Sequence, residues 1–380
     1  MVGLAKNPIY LPAVVALLVF ILPANATTIT GCTVIDSPGY YSLANDIIDS
    51  NSARCIEIKS NDVILDGQNH VIDGIDSSSS EGIYAFNVSN VTVKNLIITD
   101  WGFGIVFLKV KLVKILNNTV SSNNNGIIVS YYSSGNKIIG NNVSNNNDRG
   151  IGIVLSNANA ITKNMVTFND RYGVHISYSR FNRVIENEIS HNGLGVYIGG
   201  LIFRSTSDFN TVAQNNISAN DRGISIVGSY RNTIKDNIIA SNQVGLSIGR
   251  SSGNTIYNNY FNNTNSNADL PSTPLIRNKL YVYKTPGTNI VGGPYIGGNY
   301  WGKPDGTGFS DTCSDSDSDG ICDSKYVLTY FYSRPTNIDE FPLTRITPTP
   351  PTSIPEFSSM IMPVIGIFTL MALKLTRRKE

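Results

Sequence analysis

The stretch NRVIENEISHNGLGVYIG, residues 182–199, decides the fold because its order of residue types returns along most of the chain. It holds an Asn, an apolar residue two positions later, an Asn five later and an apolar residue seven later. A Gly then follows, with apolar residues one and three positions after it. The stretches that begin at Asn210 and Asn232 repeat this order. Self-similarity at a short fixed period predicts a solenoid.

The glycine marks the period. Successive glycines are 22 to 24 residues apart, except for a step of 28 between Gly195 and Gly223. Alternate residues of a strand point to opposite faces, so the positions one and three after each glycine should point inward and stack from coil to coil. The glycines are Gly82, Gly104, Gly126, Gly150, Gly173, Gly195, Gly223 and Gly245.

Each coil is predicted to consist of three short strands joined by turns. Asn suits the turns because it tolerates left-handed backbone and can bond the same Asn of the next coil. The prediction is therefore an all-β chain, a right-handed single-stranded parallel β-helix with coils of about 22 residues. A leucine-rich repeat fits less well because Leu is rare at the repeated positions, and the period is too short for a propeller blade.

The repeat also divides the chain. Residues 55–265 should form the β-helix, with Cys55 in the glycine position of one further coil. Residues 27–54 are predicted to be a polar N-terminal cap that protects the open end. Residues 266–343 are predicted to be a C-terminal cap that contains an acidic loop.

The two ends of the chain predict export. Lys6 precedes an apolar run, and Ala24-Asn25-Ala26 is a pattern that signal peptidase cuts, so residues 1–26 are predicted to be a signal peptide. Residues 344–357 form a Pro/Thr-rich stalk, residues 358–375 a predicted transmembrane helix, and residues 376–380 a basic cytoplasmic tail. These features predict a protein anchored at the cell surface through its C-terminus.

The motif Pro355-Glu356-Phe357, followed by the apolar run and the basic cluster, resembles the PEF-type C-terminal sorting signals of archaeal surface proteins. This resemblance implies an archaeosortase-like processing enzyme as a partner, which exchanges the helix for another anchor. A plain tail anchor is the alternative.

Composition and cysteine usage agree with an exterior location. The formal net charge is +1 and only 15% of residues are charged, with no basic patch interleaved with aromatic residues, so neither nucleic acid nor nucleotide is predicted as a ligand. Four cysteines without C-x-x-C spacing in an exported chain predict disulfides. Of three possible connectivities, Cys32–Cys55 and Cys313–Cys322 are predicted, because each pair is local.

Several non-repetitive stretches resemble the NosD-type β-helix family within the pectin-lyase-like superfamily. They span roughly residues 30–343 and include LDGQNH (65–70), TPGTNIVGGP (285–294) and GGNYW (297–301). The resemblance implies a right-handed β-helix outside the cytoplasm. Members range from accessory proteins in copper-site maturation to archaeal surface proteins of unassigned role, so it leaves the function open.

The residues two positions after each glycine are expected to face solvent on a flat surface, which pectin-lyase-like proteins use for sugars. The predicted carbohydrate-binding residues are Tyr84, Tyr131, Tyr172, His175 and Tyr197. Exposed tyrosines that merely cover a β surface are the alternative.

Acid–base chemistry would need charged groups close together. The pairs Asp148-Arg149, Asp170-Arg171 and Asp221-Arg222 lie just before repeat glycines and are expected to stack at one turn. A surface ion-pair ladder is one interpretation. A polysaccharide lyase or epimerase site using Asp170, Arg171 and His175 is the other, with glycoside hydrolysis a further possibility.

The metal prediction is calcium. In the run DSDSDGICD, Asp315, Asp317, Asp319 and Asp323, with the carbonyl of Ile321, resemble a short calcium loop. Copper is not expected, because His, Met and Cys clusters are absent from the sequence between the apolar termini.

The sequence thus predicts a surface protein that binds or presents envelope polysaccharide or glycoprotein, or one that is a structural envelope component. A lyase or epimerase and a copper-maturation accessory remain alternatives.

Overall fold

The computed structural model describes residues 26–200, 206–272 and 277–345. The predicted signal peptide, the sorting motif and the predicted transmembrane helix lie outside these residues, apart from Ala26. Within the described part of the chain, no helix has the length and apolar character needed to cross a bilayer.

The described chain is an all-β parallel solenoid of the right-handed type with about ten turns. Each complete coil contributes one strand to each of three sheets, in the order B, A, C along the chain, and the coils at the two ends lack one of the three strands. Equivalent residues of most neighbouring coils are 22 or 23 positions apart, which confirms the predicted period.

Sheet B has the longest strands and sheets A and C have mostly three-residue strands. Sheet B contains Thr33–Ile35, Arg54–Ile58, Glu81–Phe86, Phe103–Leu108, Asn125–Ser130, Arg149–Val154, Tyr172–Ser177, Leu194–Gly199, Arg222–Val227, Val244–Gly249 and Ser266–Asp269. Sheet A contains Thr27–Ile29, Gly39–Leu43, Val63–Asp66, Thr92–Lys94, Lys114–Leu116, Lys137–Ile139, Ala160–Thr162, Arg183–Ile185, Thr211–Ala213, Thr233–Lys235 and Thr255–Tyr257. Sheet C contains Val71–Asp73, Ile97–Thr99, Thr119–Ser121, Asn142–Ser144, Met165–Thr167, Glu188–Ser190, Asn216–Ser218, Ile238–Ala240, Tyr260–Asn262 and Tyr300–Gly302.

The solenoid extends past both predicted boundaries. Residues 27–54, predicted as a cap, already add strands to sheets A and B, and Cys55 lies in the glycine position because Ile56 pairs with Ile83. At the other end, Ser266–Asp269 joins sheet B and Tyr300–Gly302 joins sheet C.

The remaining C-terminal elements are short. The antiparallel pairs are Thr285–Pro286 with Tyr295–Ile296, and Tyr326–Phe331 with Arg334–Asp339. The helix Phe309–Thr312 forms one turn.

The core is a continuous apolar interior. The residues one and three positions after each repeat glycine are buried, as predicted, and they pair in register from coil to coil, as Ile151 does with Val174 and Ile153 with Ile176. The glycine itself is required by close packing. A Cβ on Gly150 would lie 2.8 Å from the carbonyl oxygen of Gly173 and 2.8 Å from Cγ1 of Val166.

Three asparagine ladders run along the turns. Each ladder Asn donates from its backbone N–H and its Nδ2 to Oδ1 of the equivalent Asn in the next coil, as Asn146 does to Asn169 at 3.2 and 2.8 Å. The A–C ladder is Asn118, Asn141, Asn164, Asn187, Asn215, Asn237, Asn259 and Asn299. The C–B ladder is Asn123, Asn146, Asn169, Asn192, Asn220, Asn242 and Asn263, and Asn263 in turn donates to Asn267, four residues later in the strand Ser266–Asp269. The B–A ladder is Asn136, Asn159, Asn182, Asn210, Asn232, Asn254 and Asn278.

The bonding of like asparagines is confirmed, but the expected left-handed backbone falls elsewhere. It is the residue before the ladder Asn that has positive φ in most coils, for example Lys163 before Asn164 and Glu186 before Asn187. The ladder side chain can then turn inward, while the preceding side chain points out.

The A–C ladder ends on a buried carboxylate. Asn299 donates from its backbone N–H to Oδ2 of Asp339 at 2.7 Å, and Trp301 Nε1 donates to the same oxygen at 2.8 Å. Asp339 is 0% exposed.

The predicted disulfides are confirmed. Cys32 is bonded to Cys55 and Cys313 to Cys322, so the first joins the first coil to the second and the second closes the acidic loop.

Candidate functional site

The outer face of sheet B is where the coils differ from one another. Its central column comes from the residues two positions after each repeat glycine, which pair in register along the sheet. The column is Tyr84, Val106, Ile128, Gly152, His175, Tyr197, Ser225 and Ser247. Although these side chains lie outside the main core, several are covered by their neighbours.

Tyr84 is one of the covered side chains. It is 9% exposed, packs with Val106 and Ile128, and lies under the guanidinium of Arg54, which is 3.7 Å from the ring centroid. Arg54 in turn pairs with Glu81 at 2.6 Å. The expectation that Tyr84 faces solvent is therefore wrong, because a charged network and an apolar cluster surround it.

Three predicted sugar-binding residues come together farther along the sheet. The rings of Tyr172, His175 and Tyr197 have centroids 4.8 to 5.4 Å apart, and His175 and Tyr197 are stacked. We call these residues the aromatic cluster. The Arg171 guanidinium lies 4.9 Å from the Tyr172 ring centroid.

The other predicted sugar-binding residues lie apart from the aromatic cluster. In register, Tyr84 is four coils before His175. Tyr131 is 56% exposed and follows the sheet B strand Asn125–Ser130, two coils before His175.

His175 is itself buried, at 8% exposed, which corrects the expectation that it faces solvent. Burial, together with the nearby positive charges of Arg149 and Arg171, lowers the pKa of His175 to about 3. The imidazole is therefore neutral at ordinary pH and is a weak base. A general base works best with a pKa near the operating pH, so this environment does not favour acid–base catalysis by His175.

The predicted catalytic residues are not gathered. Asp170 lines a depression on the turn between sheets C and B, beside Phe168 and His191, whereas His175 lies on the face of sheet B. Within the described ranges, no hydrogen bond or ion pair joins Asp170 to His175 or Arg171.

The Asp-Arg pairs do not stack like on like, which corrects another expectation. Arg149 is in register with Tyr172, Tyr172 with Leu194, and Leu194 with Arg222. Arg171 therefore lies one position before Tyr172, the residue that pairs with Arg149. Asp148 accepts the ion pairs of both Arg149, at 3.4 Å, and Arg171, at 3.6 Å.

Sequence reasoning missed the surface along the turn between sheets C and B. Two depressions of about 530 and 570 Å³ adjoin there at Asn145. The first is lined by Asp76, Asp100 and Trp101, and the second contains the stacked rings of Phe168 and His191, 4.6 Å apart. Outward-pointing left-handed residues create this surface. The Asn repeat marks their positions, but their residue types change from coil to coil, so the pattern does not predict the surface that they form.

The acidic loop brings three of its four aspartates together. Carboxylate oxygens of Asp315, Asp317 and Asp323 lie within 4.8 Å of one another. Asp319 instead forms an ion pair with Lys284. Ile321 is buried and bridges to Leu343.

Copper ligands are not brought together in the described part of the chain. His70 bonds Asp46, His175 lies on sheet B, and His191 stacks on Phe168 on a turn. All four cysteines are in disulfides. Copper sites need converging imidazole, thioether or thiolate donors, so this donor set does not fit copper.

The three-sheet coils, the inward aliphatic columns and the Asn ladders define a parallel β-solenoid with an irregular outer face on its longest sheet. Residues 25–201 and 198–306 match the family model of the periplasmic copper-binding protein NosD, and the chain belongs to the NosD family. No curated protein matches the sequence.

Several solved structures are similar to this chain, and the tailspike among them shares the fold. The Dettilon tailspike protein is 16% identical with a TM-score of 0.55, over 64% of this chain and 56% of the tailspike chain. The periplasmic alginate epimerase AlgG is 21% identical with a TM-score of 0.45, over 52% and 51%. The DFA-IIIase of Arthrobacter chlorophenolicus A6 is 15% identical with a TM-score of 0.48, over 60% and 63%. This chain thus spans about half to three fifths of those structures.

Proposed function

We propose that the protein binds carbohydrate of the cell envelope on the outer face of sheet B, with the aromatic cluster as the stacking platform. The observation that carries the proposal is the convergence of Tyr172, His175 and Tyr197 within 5.4 Å on a face where other coils carry unrelated side chains. Aromatic rings offer an apolar face to a sugar while their polar edges stay hydrated. A low pKa for His175 supports binding over acid–base chemistry at this place.

A glycan array probed with the full-length protein tests the proposal. Tyr197→Ala should weaken binding by roughly three- to tenfold, as expected for the loss of one stacking ring. Tyr230→Ala is the matched control, because Tyr230 is also partly exposed, at 41%, but follows the sheet B strand Arg222–Val227 in the turn. An array on which no glycan binds the wild-type protein would contradict the proposal and favour a purely structural envelope role.

We propose further that the protein is exported and anchored at the cell surface through its C-terminus, with processing by an archaeosortase-like enzyme. The support is the sequence of the two ends. Mass spectrometry of the protein from its native membrane should give a mature N-terminus near Thr27 and a C-terminus altered after Pro355-Glu356-Phe357. Recovery of unprocessed chain from the cytoplasm would contradict both statements.

Calcium is proposed as the ligand of the acidic loop. Three carboxylates within 4.8 Å repel one another, and a hard cation with oxygen ligands relieves that repulsion. Titration calorimetry with calcium should show binding that Asp317→Asn weakens, while Asp305→Asn, which changes an exposed aspartate outside the cluster, leaves it intact. Absence of heat and of thermal stabilisation in the wild type would remove the proposal.

A further inference from the structure

The turn from sheet B to sheet A carries charge of one sign over four consecutive coils. In these coils the turn and the sheet A strand that follows it are residues 109–116, 131–139, 155–162 and 178–185. These segments contain six Lys or Arg residues and no Asp or Glu, although the net charge of the whole chain is only +1. We call their exposed side chains the B–A patch. No single run of sequence shows the patch, because only the stacking of coils brings the four segments together.

Most of the positive charges in the B–A patch have no anionic partner. Arg180 is paired with Asp208 at 3.5 Å, but the other five form no ion pair in the described part of the chain. Lys114 and Lys137 even lie opposite each other on adjacent strands, where like charges are unfavourable. The patch therefore presents a positive field that an anionic partner would neutralise. The five unpaired cations are Lys109, Lys111, Lys114, Lys137 and Arg183.

Large apolar side chains protrude among these charges. Leu112, Tyr131, Tyr132 and Phe181 are 56% to 74% exposed, and all four have positive φ. Left-handed backbone is unfavourable for such residues, and Gly adopts it at lower cost, as Gly135 does in the same turn. The chain thus keeps bulky apolar groups at exposed turn positions where neither packing nor backbone conformation calls for them. Grouped exposed apolar residues mark interaction surfaces.

We propose that the B–A patch lies against an anionic lipid surface. Lipid headgroups neutralise the unpaired cations, while the apolar side chains enter the boundary between headgroups and acyl chains. The long stems of Lys and Arg let their charges reach the headgroups from that depth. A soluble polyanion would use the charges but would gain little from Leu112 and Phe181. The patch is separate from the aromatic cluster on the outer face of sheet B, so this proposal does not depend on carbohydrate binding.

The test needs a local readout, because residues 358–375 are predicted to enter a bilayer whatever the patch does. Full-length Tyr132→Trp is reconstituted into vesicles of brominated phosphatidylglycerol or of brominated phosphatidylcholine, and bromine quenching of Trp fluorescence reports contact with lipid. Quenching is expected in the anionic vesicles and not in the zwitterionic ones. Tyr330→Trp is the matched control, since Tyr330 is 59% exposed on the C-terminal hairpin and should not be quenched in either. The native Trp101 and Trp301 are 1% exposed and give the background.

Charge removal shows whether the patch itself makes the contact. Each Lys near an anionic surface strengthens association about fivefold, so Lys111→Gln, Lys114→Gln and Lys137→Gln together should weaken the contact on the order of a hundredfold and abolish quenching at position 132. The control combines Lys303→Gln, Lys325→Gln and Arg334→Gln, which remove the same charge from exposed sites in the C-terminal region and should leave quenching intact. Circular dichroism checks folding. Lys114→Gln alone, expected to weaken the contact about fivefold, keeps the test valid if the triple variant does not fold.

Four results would overturn the proposal. The first is absence of quenching at position 132 in anionic vesicles, and the second is equal quenching in both kinds of vesicle. The third is equal loss in the two triple variants, which would show attraction by net charge alone. The fourth is an emission shift of Tyr132→Trp with dextran sulfate but none with anionic vesicles, which would make the patch a site for a soluble polyanion. The glycan array with Tyr197→Ala is unaffected by any of these results.

Discussion

The C–B ladder and the outer face of sheet B are built from the same coils but obey different rules. In the ladder, every coil from Asn123 to Asn263 carries Asn, because each side chain must both accept from one coil and donate to the next. On the outer face, the central column changes from Tyr84 to Gly152 to Ser225 without harm to the sheet. Coil stacking fixes the interior and leaves the outer face free to carry a function.

The largest expected effect comes from breaking the ladder. Asn146→Ala removes the acceptor for Asn123 and the donors to Asn169 and to the Val120 carbonyl, and leaves buried polar groups unpaired. We expect a loss of about 3–5 kcal/mol in the free energy of unfolding. Asn147→Ala, one residue on and exposed, should change it by less than about 0.5 kcal/mol. Urea denaturation measures both, and equal losses would refute the distinction.

A second prediction concerns pH on the outer face. The pKa of His175 is lowered to about 3 by burial and by Arg149 and Arg171, so the unfolded chain binds the extra proton first as pH falls. Above about pH 6.5 the imidazole is neutral in both the folded and the unfolded chain, and His175 costs no stability. Between about pH 6.5 and pH 3 only the unfolded chain binds the proton, so the free energy of unfolding falls progressively.

Denaturation midpoints at pH 7 and pH 4 test this. His175→Gln should remove up to about 3 kcal/mol of the acid-induced loss of stability. His191→Gln, which replaces an exposed imidazole, serves as the control. Parallel acid curves for wild type and His175→Gln would show that the burial of the imidazole has no energetic consequence.

The repeat glycines give an intermediate effect within sheet B. Gly150→Ala places a methyl 2.8 Å from Gly173 O and from Val166 Cγ1, and should cost about 1–3 kcal/mol through overpacking. Gly249→Ala is the control, since its nearest neighbour, Val227 Cγ2, would be 4.0 Å away. Thermal denaturation compares the stabilities of the two variants. If Gly150→Ala were as stable as Gly249→Ala, the spacing between coils would be able to widen enough to accept the methyl group.

The smallest expected effect lies on the surface. Glu186→Gln removes an ion pair between Glu186 and Lys163, whose charged atoms lie 3.5 Å apart. The side chain of Lys163 is 66% exposed and that of Glu186 is 36% exposed. We expect a change within about 0.5 kcal/mol, because exposed pairs contribute little. A larger loss by urea denaturation would mean that outward side chains of the ladder turns contribute to coil stacking.

The sequence predicted what the coil repeat dictates. The inward columns and the bonding of like asparagines were readable, because stacking requires the same residue type at the same place in each coil. Both disulfides were readable for another reason, because each cysteine pair is local in the sequence. The offset of Arg171 from Arg149 was readable as well. Arg149 directly precedes Gly150, whereas Tyr172 separates Arg171 from Gly173.

What the sequence could not show depends on neighbours across coils. Whether Tyr84 is covered depends on Arg54, one coil earlier, and whether the space over Gly152 is filled depends on the rotamers of Ile128 and Arg149. The serine ladder, in which the backbone N–H of Ser133 donates to Ser156 Oγ at 3.2 Å, was missed because Ser is common throughout the chain. The sequence repeat shows which residues stack above one another. It does not show how side chains of different types pack against each other across neighbouring coils.

The carboxylate of Asp339 at the end of the A–C ladder has a consequence for how long such a protein can be. Every amide in the ladder passes hydrogen bonds on in one direction, whereas a carboxylate accepts them and, when ionised, donates none. The series therefore stops chemically at Asp339. We therefore expect that rungs before Asn299 can be duplicated or deleted as modules, because each presents the same donor and acceptor to its neighbours, whereas a further rung after Asn299 would have to replace the acceptor that Asp339 supplies.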